Sequence, residues 1–247
     1  MTADIILRTE ALTRRFGGFT ALNGVSAAFE RNRLTSIIGP NGAGKSTYFN
    51  LLSGALPPSS GRVLLDGVEL SGRPQHEFAH AGVAKSFQIT NIFPGFTVLE
   101  NVRIALQARA RRSDFWSRRA DLGLEARAPE LLGEVGLATH PRRAGRELAH
   151  GQQRALEIAI ALAAGPALLL MDEPTAGMSP EETRTMMDLI VRLAAERTVI
   201  LVEHKMKMVM GISDRLVVLH HGELLATGTP ADIRANDEVR RVYLGKH

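Results

Sequence analysis

Residues 39 to 47 read Gly-Pro-Asn-Gly-Ala-Gly-Lys-Ser-Thr, a complete G-x-x-x-x-G-K-[ST] loop, and that spacing requires a strand before it and a helix after it. Both flanks comply: Leu34 to Ile38 is a short β-type apolar run, and Ser46 to Leu52 reads as a helix start. A loop of this form wraps successive backbone N–H groups around nucleotide phosphates at a positively polarised helix N-terminus. Gly39, Gly42 and Gly44 allow backbone angles closed to residues with a Cβ. Lys45 adds a charge that reaches the outer phosphates, and the Ser46 hydroxyl completes the shell of a Mg2+ ion. Asn41, Gly42, Ala43, Gly44, Lys45, Ser46 and Thr47 are therefore the expected binding residues for ATP or GTP.

Cysteine is absent from the 247 residues, which excludes disulfides, thiolate metal sites and cysteine nucleophiles and fits a reducing compartment. The longest apolar stretch, Ile158 to Met171, is broken by Gly165-Pro166 and falls short of the roughly 20 residues that a membrane helix needs. The N-terminal residues carry acids and lack an apolar run of signal-peptide length, so export is not expected. Net charge is +4, with the basic excess between Arg103 and Arg146, where Arg111-Arg112, Arg118-Arg119 and Arg142-Arg143 form pairs. Acids at Asp114, Asp121, Glu125, Glu130 and Glu134 alternate with them, and the only aromatics there are Phe115 and Trp116. This pattern favours a solvated mixed-charge helical surface over a nucleic-acid face.

The first third of the chain is β-rich, with short segments at Ile5–Leu7, Leu22–Phe29, Leu34–Ile38 and Val63–Leu65 between Gly, Asn and Pro-Pro punctuation. From Val98 to Ala164 the apolar period is helical. Ala167 to Met171 and Thr198 to Val202 are fully apolar runs of strand length, as in parallel strands buried on both faces. Leu216–Leu219 and Glu223–Thr227 flank His221-Gly222 as a hairpin would. The expected class is α/β, a core sheet interrupted by a helical insertion.

Phosphoryl transfer needs charge neutralisation, a metal, a positioned water and a group that orients it. Asp172, at the end of a buried strand, suits Mg2+, and Glu173 beside it suits polarisation of the attacking water. Gln88 and His204 do not rise above background by spacing alone. Residues 148 to 154 precede an amphipathic helix with Leu156, Ala159, Ile160 and Ala163 on one face, closed by Gly165-Pro166. Ser179, Pro180 and Glu182 form a capping-box pattern before a helix over Thr183 to Ala195.

Taken in order, the loop at Gly39 to Thr47, Gln88, Leu148 to Gln152, Leu168 to Glu173 and His204 make the chain resemble ATP-binding cassette ATPases from end to end. The resemblance implies a P-loop NTPase cassette: a RecA-like core sheet, an N-terminal antiparallel β subdomain and an inserted α-helical subdomain. In this reading 1–88 and 166–247 form the β subdomain and core, and about 89–165 the helical subdomain. It further implies ATP and Mg2+ as ligands, with Phe16 against the adenine ring. Lys45, Gln88, Glu173 and His204 become the catalytic set, and Ser46, Gln88 and Asp172 the metal contacts. Leu148, Ala149, His150, Gly151 and Gln152 become a signature loop that meets the γ-phosphate on a second subunit. Three residues depart from the common pattern: Ala149 replaces a serine, His150 stands where glycine is common, and Ser179 replaces an aspartate after the catalytic acids.

The stretches 86–102, 151–159, 202–215 and 242–245 are similar to the importer branch for branched-chain and other hydrophobic amino acids. The implied partners are a second ATPase subunit, the same chain or a related one, and two membrane permeases, with a solute-binding protein acting indirectly. The implied location is peripheral, on the cytoplasmic side of the membrane, with no nucleic acid. Importers of urea, short amides or aromatic acids fit the same residues, and a soluble cassette acting on nucleic acid fits them less well.

Overall fold

The computed structural model describes residues 4–86, 92–109 and 118–244. In chain order it runs β1 (Ile5–Phe16), β2 (Phe19–Glu30), β3 (Leu34–Ile38), α1 (Lys45–Leu52), β4 (Ser60–Leu65), β5 (Val68–Glu69), α2 (Gln75–His80) and β6 (Val83–Ser86). There follow α3 (Val98–Arg109), α4 (Arg118–Glu134), α5 (His150–Ala163), β7 (Leu168–Asp172) and α6 (Pro180–Ala194). The chain closes with β8 (Thr198–Val202), α7 (Met206–Ile212), β9 (Arg215–His220), β10 (Glu223–Gly228), α8 (Pro230–Ala235) and α9 (Asp237–Leu244). It divides into two compact units, one of residues 1–83, 167–173 and 190–247, the other of residues 84–166 and 174–189. Residues 174–189, read from the sequence as part of the 166–247 segment, thus belong with the second unit.

The first unit holds two sheets. One is antiparallel, in the order β2-β1-β4-β5, and the other runs β10-β9-β3-β8-β7 with β6 at its edge, where the chain leaves the unit. Strands β9, β3, β8 and β7 are mutually parallel, and β10 returns antiparallel to β9. Every residue of β3, β7 and β8 is buried, which explains their predominantly apolar content, with Thr35, Ser36, Asp172 and Thr198 as the polar members. The N-terminal strands are longer than the expected Ile5–Leu7 and Leu22–Phe29 segments. Their outer ends, with Arg15 and Phe16 exposed and Arg14 half-buried, are held mainly by cross-strand pairing. Phe29, Tyr48, Phe49, Leu52, Ile37, Leu170 and Val217 belong to one continuous core, in which the Tyr48 hydroxyl hydrogen-bonds Thr9 Oγ1 at 2.9 Å.

In the second unit α3 packs against α4 and α5. Helix α5 buries Ala155, Leu156, Ile158, Ala159, Leu162 and Ala163, a wider stripe than the expected 156/159/160/163 face, and Ile160 is only half-buried. The extra width is possible because Arg154 and Glu157 are also buried and neutralise each other across one helical turn, 2.8 Å apart. Among the described residues of the arginine-rich stretch, Arg142, Arg143 and Arg146 are exposed, and Arg127 pairs with Glu130 and Glu134 at 2.9 and 3.1 Å. These described residues carry both signs of charge on the surface, whereas Arg111, Arg112, Asp114, Phe115 and Trp116 of the expected surface lie outside the described residues. Among the described residues no helix is long and apolar enough to cross a membrane.

Candidate functional site

Four parallel strands of the first unit deliver their following loops to one edge of the sheet. The register aligns Ile37 with Val202, Val202 with Asp172, and Ile38 with Val218. The loop at 39–44 after β3, Glu173 after β7, Glu203-His204 after β8 and His221-Gly222 after β9 therefore emerge side by side. Carboxyl ends of parallel strands are where open α/β sheets bind ligands.

The 39–47 loop has the shape its glycines imply. Gly44 adopts φ +94°, and a Cβ there would lie 2.8 Å from the Ala21 carbonyl oxygen. A Cβ on Gly39 would lie 2.4 Å from the Leu219 carbonyl oxygen, so this position needs glycine for close approach to β9. The Gly222 N–H donates to the Ala43 carbonyl at 3.2 Å. The β9–β10 turn therefore braces the loop from below, a role the sequence shows only as a hairpin turn. Asn41, Gly42 and Ser46 remain exposed at the mouth, Thr47 is half-buried, and Ala43 is buried.

Lys45 is buried, and its Nζ donates to the carbonyls of Gly39 at 2.7 Å and Pro40 at 3.0 Å. An ammonium carries three donors, so among the described residues one remains for a phosphate oxygen. Burial pushes this amine below the usual lysine range, while the carboxylates of Glu173 and Asp172 pull it back up. That opposition shows the three groups sharing one electrostatic environment.

Glu173 lies in the left-handed region at φ +46°, a conformation that costs a non-glycine residue about 1–3 kcal/mol. Its N–H is anchored to the Val202 carbonyl at 2.8 Å. His204, 53% exposed, brings Nδ1 to 3.7 Å from Glu173 Oε1 and 3.9 Å from Glu203 Oε2. Its backbone N–H donates to the fully buried Glu203 side chain at 3.2 Å. Glu203 is a second residue whose place in the site the sequence did not reveal, since an acid at a strand end has no distinctive spacing.

Among the described residues no cluster of three or more His, Asp or Glu could hold a metal alone. The buried Asp172 carboxylate and the exposed Ser46 hydroxyl are the oxygen donors that would hold a Mg2+ ion entering with a nucleotide, where it would neutralise phosphate charge. Gln88 lies outside the described residues.

At the β1–β2 turn Phe16 pairs with Phe19, and both rings are exposed. The Arg14 guanidinium stands 4.7 Å over the Phe16 ring. Ala21, which touches Gly44, is two residues beyond Phe19, about 7 Å along the strand. Phe16 is thus offered near the phosphate loop.

In the second unit Leu148 is buried, while Ala149 and His150 are exposed at the start of α5. The Gln152 side chain reaches back to accept the Ala149 N–H at 3.1 Å. His150 Nε2 lies 3.1 Å from the Ala176 carbonyl oxygen, and the Gly151 N–H donates to Glu182 Oε1 at 3.0 Å. The capping box expected at Ser179 is present, with Glu182 N–H to Ser179 Oγ at 3.2 Å and Ser179 N–H to Glu182 Oε2 at 3.0 Å. Helix α6 consequently starts at Pro180, three residues before the expected Thr183. Ala149 holds the N-cap position of α5 without a side-chain acceptor. Ala149→Ser should raise stability by about 1 kcal/mol, or roughly 2–4 °C in a thermal melt. An unchanged melting temperature would show that this cap is already satisfied by other means.

The profile of the ABC transporter family matches residues 22–176, and that of the branched-chain amino acid ATP-binding cassette transporters matches residues 223–247. The chain is 43% identical over 98% of both lengths to the high-affinity branched-chain amino acid transport ATP-binding protein BraF of Pseudomonas aeruginosa. It is 41% identical, again over 98% of both, to LivG of Escherichia coli, which carries the same description. Among solved structures, an ATP-binding cassette of an ABC transporter in its ADP conformation aligns with a TM-score of 0.86 at 31% identity, covering 98% of this chain and 99% of that one. A nucleotide-free cassette aligns at 0.84 and 31% identity, covering 98% and 100%.

Proposed function

The chain belongs to the ABC transporter ATP-binding family, and from that premise we propose that it is the ATP-hydrolysing subunit of an importer for branched-chain and other hydrophobic amino acids. The observation that carries the chemistry is the convergence of Lys45, Asp172, Glu173 and His204 at one edge of one sheet. The solute class rests on the relatives named above and on the 223–247 match.

In this reading the N–H groups of 41–47 and Lys45 bind the β- and γ-phosphates, and Phe16 stacks on adenine. Glu173 Oε1 accepts a proton from the water that attacks the γ-phosphorus, as the bond to the bridging oxygen breaks and ADP leaves. His204 sits beside both Glu173 and the γ-phosphate, and reports on its presence. Mg2+, when bound with the nucleotide, neutralises charge on the phosphate oxygens, held by Ser46 and Asp172 with Gln88 as the proposed further contact.

Leu148 to Gln152 face the γ-phosphate held by a second cassette, so each site is completed in trans. The exposed rings of Phe93 and Phe96, 5.6 Å apart, offer a permease an apolar foothold. Asn101, buried beneath them, bonds the Phe93 N–H at 2.7 Å and the Phe93 and Thr97 carbonyls, which fixes that loop. The chain accordingly acts at the cytoplasmic face of the membrane through its permeases.

Phe16→Ala should raise the Kd for ATP roughly 2- to 12-fold, the equivalent of about 0.5–1.5 kcal/mol of stacking; equilibrium binding with a fluorescent ATP analogue checks it. Tagged chain purified from native membranes in mild detergent tests the assignment as a whole. Two hydrophobic permeases and a cassette partner should co-purify, and recovery of the chain with ribosomes or nucleic acid instead would overturn it.

A further inference from the structure

We infer that Glu182 is a positioning residue that occupies the γ-phosphate position of the α5 N-terminus until a partner's nucleotide displaces it; the inference rests on the proposal that this loop completes a site in trans. The first N–H groups of a helix have no partner within the helix and attract anions. At α5 one of them is already taken: Gly151 donates to Glu182 Oε1 at 3.0 Å. The contact is close, because a Cβ on Gly151 would lie 3.1 Å from the same oxygen and 3.2 Å from Glu182 Cγ. The other oxygen, Oε2, accepts the Ser179 N–H at 3.0 Å. Two backbone donors favour the ionised carboxyl and hold it below the usual glutamate range.

A γ-phosphate that uses the Gly151 N–H must therefore replace a carboxylate of the same sign. Once displaced, Glu182 also loosens its hold on Ser179, at the end of the segment that begins directly after Glu173. His150, bonded to the Ala176 carbonyl, ties the same segment to the same helix start. One chain's signature loop and its own post-catalytic segment thus share a single carboxylate, and arrival of the partner's nucleotide at the first is felt at the second. This supplies a route between the two ATP sites in a chain where Ser179 stands in place of the common aspartate.

The test uses the chain with whichever second cassette it assembles with. Glu182→Gln keeps the shape and removes the charge, so the ATP concentration giving half-maximal hydrolysis should fall about two- to five-fold, the size of one charge at a helix N-terminus, with no matching rise in kcat. Ser179→Ala removes the other half of the capping box and keeps the charge; it should lower thermal stability and leave half-saturation in place. If both variants shift only the melting temperature, or if Glu182→Gln raises the ATP requirement, Glu182 is merely structural and the inference is wrong. ATP-dependent association in the Glu173→Gln background separates the two layers of the argument. Association at the same ATP concentration with and without Glu182→Gln rejects the role of Glu182 alone, whereas no association in either rejects the trans site and the inference with it.

Discussion

Replacing Glu173 by Gln is expected to cut ATP turnover by about two to four orders of magnitude, the contribution of a positioned general base, while ATP binding persists. The geometry makes this substitution unusually informative. Glu173 is held at φ +46° by its N–H bond to Val202, and its Oε1 lies 3.7 Å from His204 Nδ1. Glutamine keeps the size and the hydrogen-bonding reach, so the backbone strain and the neighbours stay as they are, and only the proton acceptor is lost. Steady-state phosphate release and equilibrium ATP binding, measured on the same preparation, separate the two effects. Turnover within tenfold of the unsubstituted protein would remove Glu173 from the chemistry.

Lys45→Ala has the opposite signature. Its ammonium is buried, pulled down by desolvation and up by Glu173 and Asp172, and shared with the carbonyls of Gly39 and Pro40. Losing it leaves the phosphates without their main charge-assisted donor, a loss of about 3 kcal/mol, or roughly a hundredfold in Kd. The fold itself should suffer little, because a buried charge leaves with the side chain. The expected result is a melting temperature close to that of the unsubstituted protein without nucleotide, and the disappearance of the increase that saturating ATP otherwise gives. An ATP-induced increase of unchanged size would mean that the loop amides bind nucleotide without Lys45.

How much of this was readable from residues varies with the kind of signal. The phosphate loop announced itself because glycine, lysine and hydroxyl spacing encodes both conformation and chemistry, and Gly39 and Gly44 meet the Leu219 and Ala21 carbonyls as that demands. The buried strands β7 and β8 were legible from nearly unbroken apolar runs, β3 from a short β-type run before the phosphate loop, and the capping box at Ser179 from three residues. Less visible was anything that depends on a partner distant in sequence. Gly222 under Ala43, the buried Glu203 beneath His204 and the Glu182 carboxylate on the Gly151 N–H each join residues separated in the chain or lacking a distinctive pattern. Helix α5 misled the pattern reading because a buried Arg154–Glu157 pair hides polar residues on an otherwise apolar surface. His204 shows the same limit from the other side: unremarkable as a strand-end histidine, it gains meaning only beside Glu173. Family resemblance placed both in one catalytic set, and the register of β7 on β8 supplies the physical cause of their proximity.

The central claim is that this chain drives import of branched-chain and other hydrophobic amino acids, and it is tested most directly by ATP hydrolysis in the intact membrane complex. The complex purified with the chain is placed in proteoliposomes with ATP and Mg2+, and phosphate release is followed with and without binding protein loaded with leucine, isoleucine or valine. The account predicts hydrolysis that rises when the loaded binding protein is added and that disappears in the Glu173→Gln complex. A rate indifferent to these loaded binding proteins, but raised by one carrying urea or a short amide, would contradict the assigned solute.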